Sequence, residues 1–333
     1  MNIGIIFGGK SFEHDISIIS AYQLKKKIEK KYKINMIYVD FNSNLYITDK
    51  CSLNDFKNND LKKKKKTMFV SGGIKYIDID VLVSVMHGEN GEDGIIASMA
   101  RFYDIPFMGC STFSGSLCID KYNTYRYLSS NGIDMVDTIL YTYEDYLNNK
   151  EINIIPCIIK PCCLGSSLGI NVCKDKNDLD DLLVDSFKYS NRLVIQPFYE
   201  GILEYNLALN ESYYSNLETI NKKEDIFSFE NKYSDSFKQL HQSLINNDRY
   251  DEFCCVARKV YDLICGNGII RIDFFIHEDK ILVNEVNTTP GALAMYLFAD
   301  FDVVFDESLR RVIDKEYVEY VKGDFLSSSN INK

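Results

Sequence analysis

Two short triplets hold the residues best suited to chemistry: Arg271-Ile272-Asp273 and, further on, Glu285-Val286-Asn287, which runs into Thr288-Thr289-Pro290-Gly291. Both sit in β-branched and aromatic sequence, namely Gly268-Ile269-Ile270, Phe274-Phe275-Ile276 and Ile281-Leu282-Val283. On a strand, residues i and i+2 share a face. Arg271 therefore goes with Asp273, and Glu285 with Asn287. The polar stretch His277-Glu278-Asp279-Lys280 between them predicts a hairpin. A turn with an odd number of residues would set Asp273 opposite Glu285 and Arg271 opposite Asn287. Carboxylates so close repel unless a cation lies between them, and with an amide oxygen they form the hard oxygen set that suits Mg²⁺, an ion usually shared with substrate phosphates. A solvated ion-pair cluster on an exposed sheet is the alternative. Four such residues in phase, flanked by apolar runs and closed by Pro290-Gly291, favour the metal-phosphate site.

A second group of residues suits phosphate. Lys160 ends an apolar strand and is followed by Pro161-Cys162-Cys163-Leu164 and the loop Gly165-Ser166-Ser167-Leu168-Gly169. Glycines let backbone N–H groups turn inward as an anion nest, and serine hydroxyls add donors. Taken alone, a Gly-Ser turn is equally an ordinary hairpin connection. The loop is not a Walker A sequence, since G-K-[ST] is missing, and no G-x-G-x-x-G follows the first strand. Lys121, at the start of a helix after Asp120, supplies a second cation. Two lysines, a nest and a carboxylate patch point jointly to a nucleoside-triphosphate site.

These groups need elements to position them. Asn2 to Phe7 reads as a strand ending at Gly8-Gly9, a helix spans about Ser17 to Lys31, and Ile34 to Val39 resumes strand character, giving a β-α-β unit. Val81 to Met86 is a further buried strand ending at His87-Gly88. Ligands of open parallel sheets lie at the carboxyl ends of strands, which places His87 and the Gly8-Gly9 turn in one crevice. Next come a helix from Asp120-Lys121, strands over Pro156 to Lys160 and Ile170 to Val172, a helix over Lys176 to Tyr189 and a strand over Leu193 to Gln196. They make a small α+β module. A third region begins near Glu204, with a helix from about Arg249 to Cys265 before the hairpin. The lysine run Lys62 to Lys66 reads as a solvated loop, and the tail from about residue 327 as disordered.

A chain of 333 residues exceeds one ordinary core and predicts two or three domains. Its 38 basic and 48 acidic residues give a formal charge of −10, which argues against nucleic acid or an acidic membrane as the main partner. The longest apolar windows are strand-length, and no export signal opens the chain, so a cytoplasmic location is expected. Ten cysteines without C-x-x-C, and four histidines without matching spacing, support neither zinc nor a redox motif. They read as reduced core thiols.

Taken in order, the motifs resemble the ATP-grasp carboxylate-amine ligases, and within them the D-alanine–D-alanine ligase family. The resemblance covers residues 1 to about 300 and is carried by Gly8-Gly9-Lys10-Ser11-Phe12-Glu13-His14-Asp15-Ile16-Ser17, His87-Gly88-Glu89-Asn90-Gly91-Glu92-Asp93-Gly94, Asp120-Lys121, Lys160-Pro161, Gly165 to Gly169, Glu230-Asn231-Lys232-Tyr233, and the two triplets with Pro290-Gly291. It implies α/β and α+β architecture in three domains: an N-terminal parallel α/β domain over 1–119, a central ATP-grasp subdomain over 120–203, and a C-terminal one over 204–333, with nucleotide between two antiparallel sheets. It implies phosphoryl transfer from ATP to a first D-alanine and attack on the acylphosphate by a second D-amino acid, for peptidoglycan precursor synthesis. Under it Glu13, Ser166, Tyr233 and Arg271 are catalytic, and Glu13 is linked through Ser166 to Tyr233. His87 and Gly291 meet substrate. Lys121, Lys160, Gly165, Ser166, Ser167, Gln196, Phe198, Tyr199, Glu204 and Lys232 meet ATP. Asp273, Glu285 and Asn287 hold two Mg²⁺ ions, Mn²⁺ being a substitute, and the resemblance implies a homodimer.

Three departures from the family pattern stand out. Gln196 replaces an acidic residue at the adenine hinge, although its carbonyl can still accept from the adenine amino group. Leu240-His241-Gln242 replaces a Cys-Pro-Ala ending. The run Ala292-Leu293-Ala294-Met295-Tyr296 is shortened and puts Ala294 where a serine normally meets the second substrate's carboxylate. An altered acceptor, such as D-serine or another small amino or hydroxy acid, is therefore one alternative. A nucleotide-binding regulator without turnover is another.

Overall fold

The computed structural model describes residues 1–50, 53, 55, 65–220, 241–244 (backbone only) and 248–314. Glu230 to Tyr233, Lys62 to Lys64, Leu240 and the tail from 327 lie outside the described residues.

The first sheet is built on β1 (Asn2–Gly8), β2 (Lys33–Val39), β3 (Leu45–Thr48), β4 (Lys65–Thr67), β7 (Val81–Ser84) and β8 (Phe107–Met108), in the order β4-β3-β2-β1-β7-β8. A two-strand ribbon of β5 (Phe69–Val70) and β6 (Gly73–Ile74) lies beside it. Strands β2, β1, β7 and β8 run parallel, as the β-α-β reading requires, while β3 and β4 are antiparallel additions at one edge. Lys65 and Lys66, expected in a loop, are exposed on edge strand β4, where charge discourages pairing with another chain. Alternation along β1 covers both faces. Ile3, Ile5 and Phe7 pack with α1 (His14–Ile28) and α8 (Phe301–Ile313), and Ile6 packs on the opposite side with α2 (Ile95–Phe102).

After α3 (Thr112–Cys118) and α4 (Lys121–Ser130), an antiparallel sheet in the order β11-β10-β12-β9 joins β9 (Ile139–Thr142), β10 (Cys157–Pro161), β11 (Asn171–Cys173) and β12 (Arg192–Pro197). Helices α5 (Tyr143–Leu147) and α6 (Leu179–Phe187) belong to this part. Cys157, Ile159, Leu193 and Ile195 form a core with Leu183 of α6, so Ile158, Lys160, Val194 and Gln196 take the other face.

The last sheet, β15-β14-β13-β16-β17, contains β13 (Glu204–Leu209), β14 (Glu218–Ile220), β15 (His241–Leu244), β16 (Ile270–His277) and β17 (Lys280–Asn287). One face buries Leu207, Ile272, Phe274 and Val283 under Phe253, Ala257 and Val260 of α7 (Tyr250–Leu263). The other face carries the polar triplets toward Lys160. Five of the nine described cysteines are buried as expected, but Cys163, Cys255 and Cys265 are exposed and Cys254 is intermediate. The core reading fails for Cys163, Cys255 and Cys265, which loop and helix-surface positions leave exposed, while Cys254 packs only at the margin of the core under the last sheet.

Gly8 ends β1 at φ +92°, and a Cβ there would lie 2.4 Å from the Val39 carbonyl oxygen. A side chain meets both a left-handed backbone and a backbone clash. Gly8→Ala is expected to lose at least about 2 kcal/mol in chemical denaturation, with β1 strained at its site end.

Candidate active site

The hairpin register is the one inferred, reached by a different route. Asp273 lies opposite Glu285 and Arg271 opposite Asn287. Yet the turn holds only Glu278 and Asp279, both at positive φ (47° and 64°) as a tight primed turn requires. An even turn alone would set the triplets out of phase. A bulge between Asp273 and Phe274 leaves Asn284 as the extra residue and restores the phase. The pairing extends across the sheet as one row, Glu218–Asn206–Asp273–Glu285, on four adjacent strands.

This row is compensated by cations from two directions. Arg271 grips Asp273 with Nε to Oδ1 at 2.7 Å and Nη2 to Oδ2 at 2.9 Å, and Asn287 Nδ2 donates to Asp273 Oδ2 at 3.1 Å. Lys121 Nζ lies 2.9 Å from Glu285 Oε1 and donates to the Leu164 carbonyl at 2.7 Å. Lys160 Nζ reaches Asn284 Oδ1 at 3.5 Å. Burial pushes the Asp273 carboxyl up, with Glu204 and Glu285 adding to that and Arg271 opposing it. Burial works against the charge on Lys121, but Glu285 outweighs it and the ammonium's pKa is raised.

The phosphate loop closes on the N-terminal segment. Ser166 (φ 53°), Ser167 (φ 61°) and Gly169 (φ 68°) are left-handed, the backbone of a nest. Ser166 Oγ donates to Glu13 Oε1. Gly165 and Gly88 permit this approach, since a Cβ would stand 3.0 Å from Glu13 Oε1 at the former and 2.9 Å from Glu13 Oε2 at the latter. Glu13 is set by the start of α1, which is tied to the ends of β1 and β7: Gly8 N–H donates to Ser17 Oγ at 2.9 Å, and that hydroxyl donates to the Val85 carbonyl at 2.6 Å. His87 follows directly, with Nε2 2.9 Å from Ser20 Oγ and Nδ1 3.8 Å from Glu92 Oε1. Ser20 Oγ also accepts from the Ala292 N–H at 3.0 Å, joining α1 to the segment after Gly291. Burial and Glu92 raise the Glu13 pKa, against the pull of His87, Ser166 and Lys121. For His87 burial is the largest influence and favours the neutral ring, yet Glu92 and Glu13 carry its pKa upward.

At the far end of the cleft, Tyr199 stacks on His277 with centroids 4.0 Å apart, and the Phe198 ring lies under Lys174. Gln196 is buried beside Thr138, and Glu204 is opposite Phe275. Of the site residues expected from sequence, described contacts join Glu13 to Ser166, Lys121 to Glu285, Lys160 to the hairpin, and Arg271 and Asn287 to Asp273 in one cleft. Gln196 and Tyr199 contact Thr138 and His277 instead, and Tyr233 and Lys232 lie outside the described residues. Ala294 does not face the cleft. It is fully buried with Leu293 and Leu297 in the core under α1 and α8, because Ala292, Leu293 and Ala294 form a left-handed turn (φ 46°, 54° and 50°) that rotates this stretch inward. The polar side chain the segment brings to the triplets is Tyr296, whose hydroxyl donates to Glu218 Oε2 at 3.1 Å. Sequence reasoning missed Tyr296, Glu218, Asn206, Asn284 and Ser20. The only available signal was an isolated polar residue inside an apolar run, as at Asn206 and Asn284.

Among the described residues no three His, Cys, Asp or Glu side chains cluster as a complete metal cage. Two opposed carboxylates with an adjacent Asn287 amide nevertheless fit a hard divalent cation that takes its remaining ligands from phosphates and water.

Two antiparallel sheets that face each other across lysines, a serine-glycine nest and paired carboxylates define an ATP-grasp fold. Residues 2–110 match the family model described as D-ala D-ala ligase N-terminus, and residues 125–302 match D-ala D-ala ligase C-terminus. A D-alanine–D-alanine ligase from Sulfurovum sp. is 35% identical over 91% of this chain and 90% of its own. The crystal structure of the D-alanine–D-alanine ligase from Helicobacter pylori superposes with TM-score 0.81 at 32% identity, covering 93% of this chain and 98% of that one. The VanG D-Ala:D-Ser ligase from Enterococcus faecalis superposes at TM-score 0.77 and 25% identity over 94% of this chain and 99% of that one. The chain belongs to the D-alanine–D-alanine ligase family.

Because the native His87 pKa is raised above its ordinary value, the stabilisation it contributes is complete below that ordinary value, about 6.5, and is lost as pH rises through the native one. Glu92→Gln is expected to lower the His87 pKa in an NMR titration and to cost more stability at pH 6 than at pH 9. An unmoved His87 titration would contradict the assigned cause.

Proposed function

We propose that the chain is an ATP-dependent ligase joining two D-alanine molecules through an acylphosphate, for peptidoglycan precursor synthesis. The γ-phosphoryl group passes to the carboxylate of the first D-alanine, releasing ADP. The amine of the second then attacks the acyl carbon, and phosphate departs. A carboxylate is a poor electrophile until one oxygen becomes a leaving group, which is the reason for spending ATP. The observation that carries this reading is the two-sided cleft, in which Lys121 and Lys160 from one sheet region reach Glu285 and Asn284 on the hairpin of the other.

In this reading Lys121, Lys160 and the Gly165-Ser166-Ser167 nest cradle the phosphates, and Gln196, Phe198, Tyr199 and Glu204 receive the nucleoside. Asp273, Glu285 and Asn287 would hold Mg²⁺, which neutralises phosphate charge when bound. Arg271, already aligned by Asp273, offers its guanidinium to the oxyanion of the tetrahedral intermediate. Glu13 takes the first ammonium, and its link to Ser166 closes the phosphate loop over the acylphosphate against water. His87 and Gly291 face the substrates, while Tyr233 and Lys232 complete the set from outside the described residues. The division into segments 1–119, 120–203 and 204–333, a homodimeric assembly and a cytoplasmic location belong to the same reading. No described helix is long and apolar enough to cross a membrane.

A second reading, a ligase with D-serine or a hydroxy acid as acceptor, rests on the run after Gly291, which turns Ala294 into the core and leaves Tyr296, bonded to Glu218, as its polar side chain near the triplets. The decisive assay is ADP release with Mg-ATP and D-alanine, alone and with a panel of acceptors, with products weighed by mass spectrometry. D-alanyl-D-alanine is expected as the main product. Turnover only with another acceptor would replace the first reading by the second, and no ADP under any condition would reduce the chain to a nucleotide-binding regulator. Arg271→Ala is expected to lower kcat roughly 10²–10³-fold with little change in ATP affinity.

A further inference from the structure

The buried end of β12 holds an amide whose orientation is decided by its neighbours. Thr138 precedes β9, and continuing the Ile195–Ile139 register sets it beside Gln196. Gln196 Nε2 donates to Thr138 Oγ1 at 2.8 Å. Thr138 Oγ1 in turn donates to the Val136 carbonyl at 2.8 Å. A hydroxyl has one hydrogen. With that hydrogen committed to Val136, Thr138 can only accept from Gln196, so the nitrogen of the amide must face it. Flipping the amide would bring two oxygens together, or force the threonine hydroxyl to abandon the buried Val136 carbonyl.

The consequence is an acceptor of fixed direction. Gln196 Oε1 is buried and has no hydrogen-bond partner among the described residues, a rare condition for a buried polar atom. Its side chain lies on the same face of the central sheet as Lys160, away from the core under α6. A glutamine is ordinarily ambivalent, since rotation by half a turn presents either a donor or an acceptor. Here rotation is blocked from behind.

We propose that Thr138 is a positioning residue that sets nucleobase specificity by locking Gln196 so that Oε1 accepts from the exocyclic amino group of adenine. This rests on the reading that Gln196 meets the base. A purine with a carbonyl at position 6 would place oxygen against oxygen, with no donor available to rotate in. The lock thus gives a neutral side chain the selectivity of a carboxylate, the residue type expected at this position, without burying a charge.

The test compares kcat/KM for ATP and inosine triphosphate, which differ at position 6, on each variant. The ratio is taken within one preparation, so partial misfolding cancels. The wild type is expected to favour ATP about 100-fold. Thr138→Val should collapse that ratio to within about fivefold, by freeing the amide to turn its Nε2 toward the carbonyl, whereas Thr138→Ser should keep it. Adding Gln196→Glu to the Thr138→Val background should restore the preference, because a carboxylate has no donor to present. If Thr138→Val keeps the full ratio while Gln196→Leu abolishes it, the lock is wrong and the base contact stands. If Gln196→Leu leaves the ratio unchanged, the base contact fails and the lock falls with it.

Discussion

Asp273 and Glu285 stand side by side on adjacent strands, and everything around them answers the need to keep two carboxylates ionised in a half-buried cleft. Arg271 meets one from its own strand, and Lys121 meets the other from the start of a helix in a different part of the chain. That second contact does more than neutralise. It fixes the distance between the central segment and the last sheet, and so the width of the slot in which phosphates would lie. Each cation is itself penalised by burial and retained by its partner, so the four groups are stable only together.

The same logic recurs at the other side of the cleft. Glu13 is pushed toward its neutral form by burial and by Glu92, and drawn back by His87, Ser166 and Lys121. The Ser166 contact ties the nest to the first sheet, and Ser20 ties His87 to the backbone after Gly291. Three stretches remote in sequence therefore share one hydrogen-bonded surface. A change at any of them is felt at the others through a short chain of contacts rather than through the bulk of the fold.

The left-handed turn at Ala292, Leu293 and Ala294 shows how packing overrides local preference. Left-handed backbone costs an ordinary residue roughly 1–2 kcal/mol, and three in succession persist because Leu293, Ala294 and Leu297 are sealed in the core with α1 and α8. That burial turns Tyr296 toward Glu218 and the Arg271 patch. The segment read from sequence as lacking a serine buries Ala294 in the core and presents Tyr296 to Glu218.

Much was legible in the chain alone. Strand alternation around Arg271-Ile272-Asp273 and Glu285-Val286-Asn287, the Gly-Ser nest, the order of the motifs and the apolar runs of the first sheet are local signals, set by side-chain periodicity and by residues that tolerate unusual backbone. What the chain could not disclose depends on pairing across distance. The bulge at Asn284 that phases the hairpin, the partner of Lys121, the row completed by Asn206 and Glu218, and the inward rotation of Ala294 each depend on which strand or helix arrives opposite. That choice is made by burial of the whole core, and no window of sequence contains it.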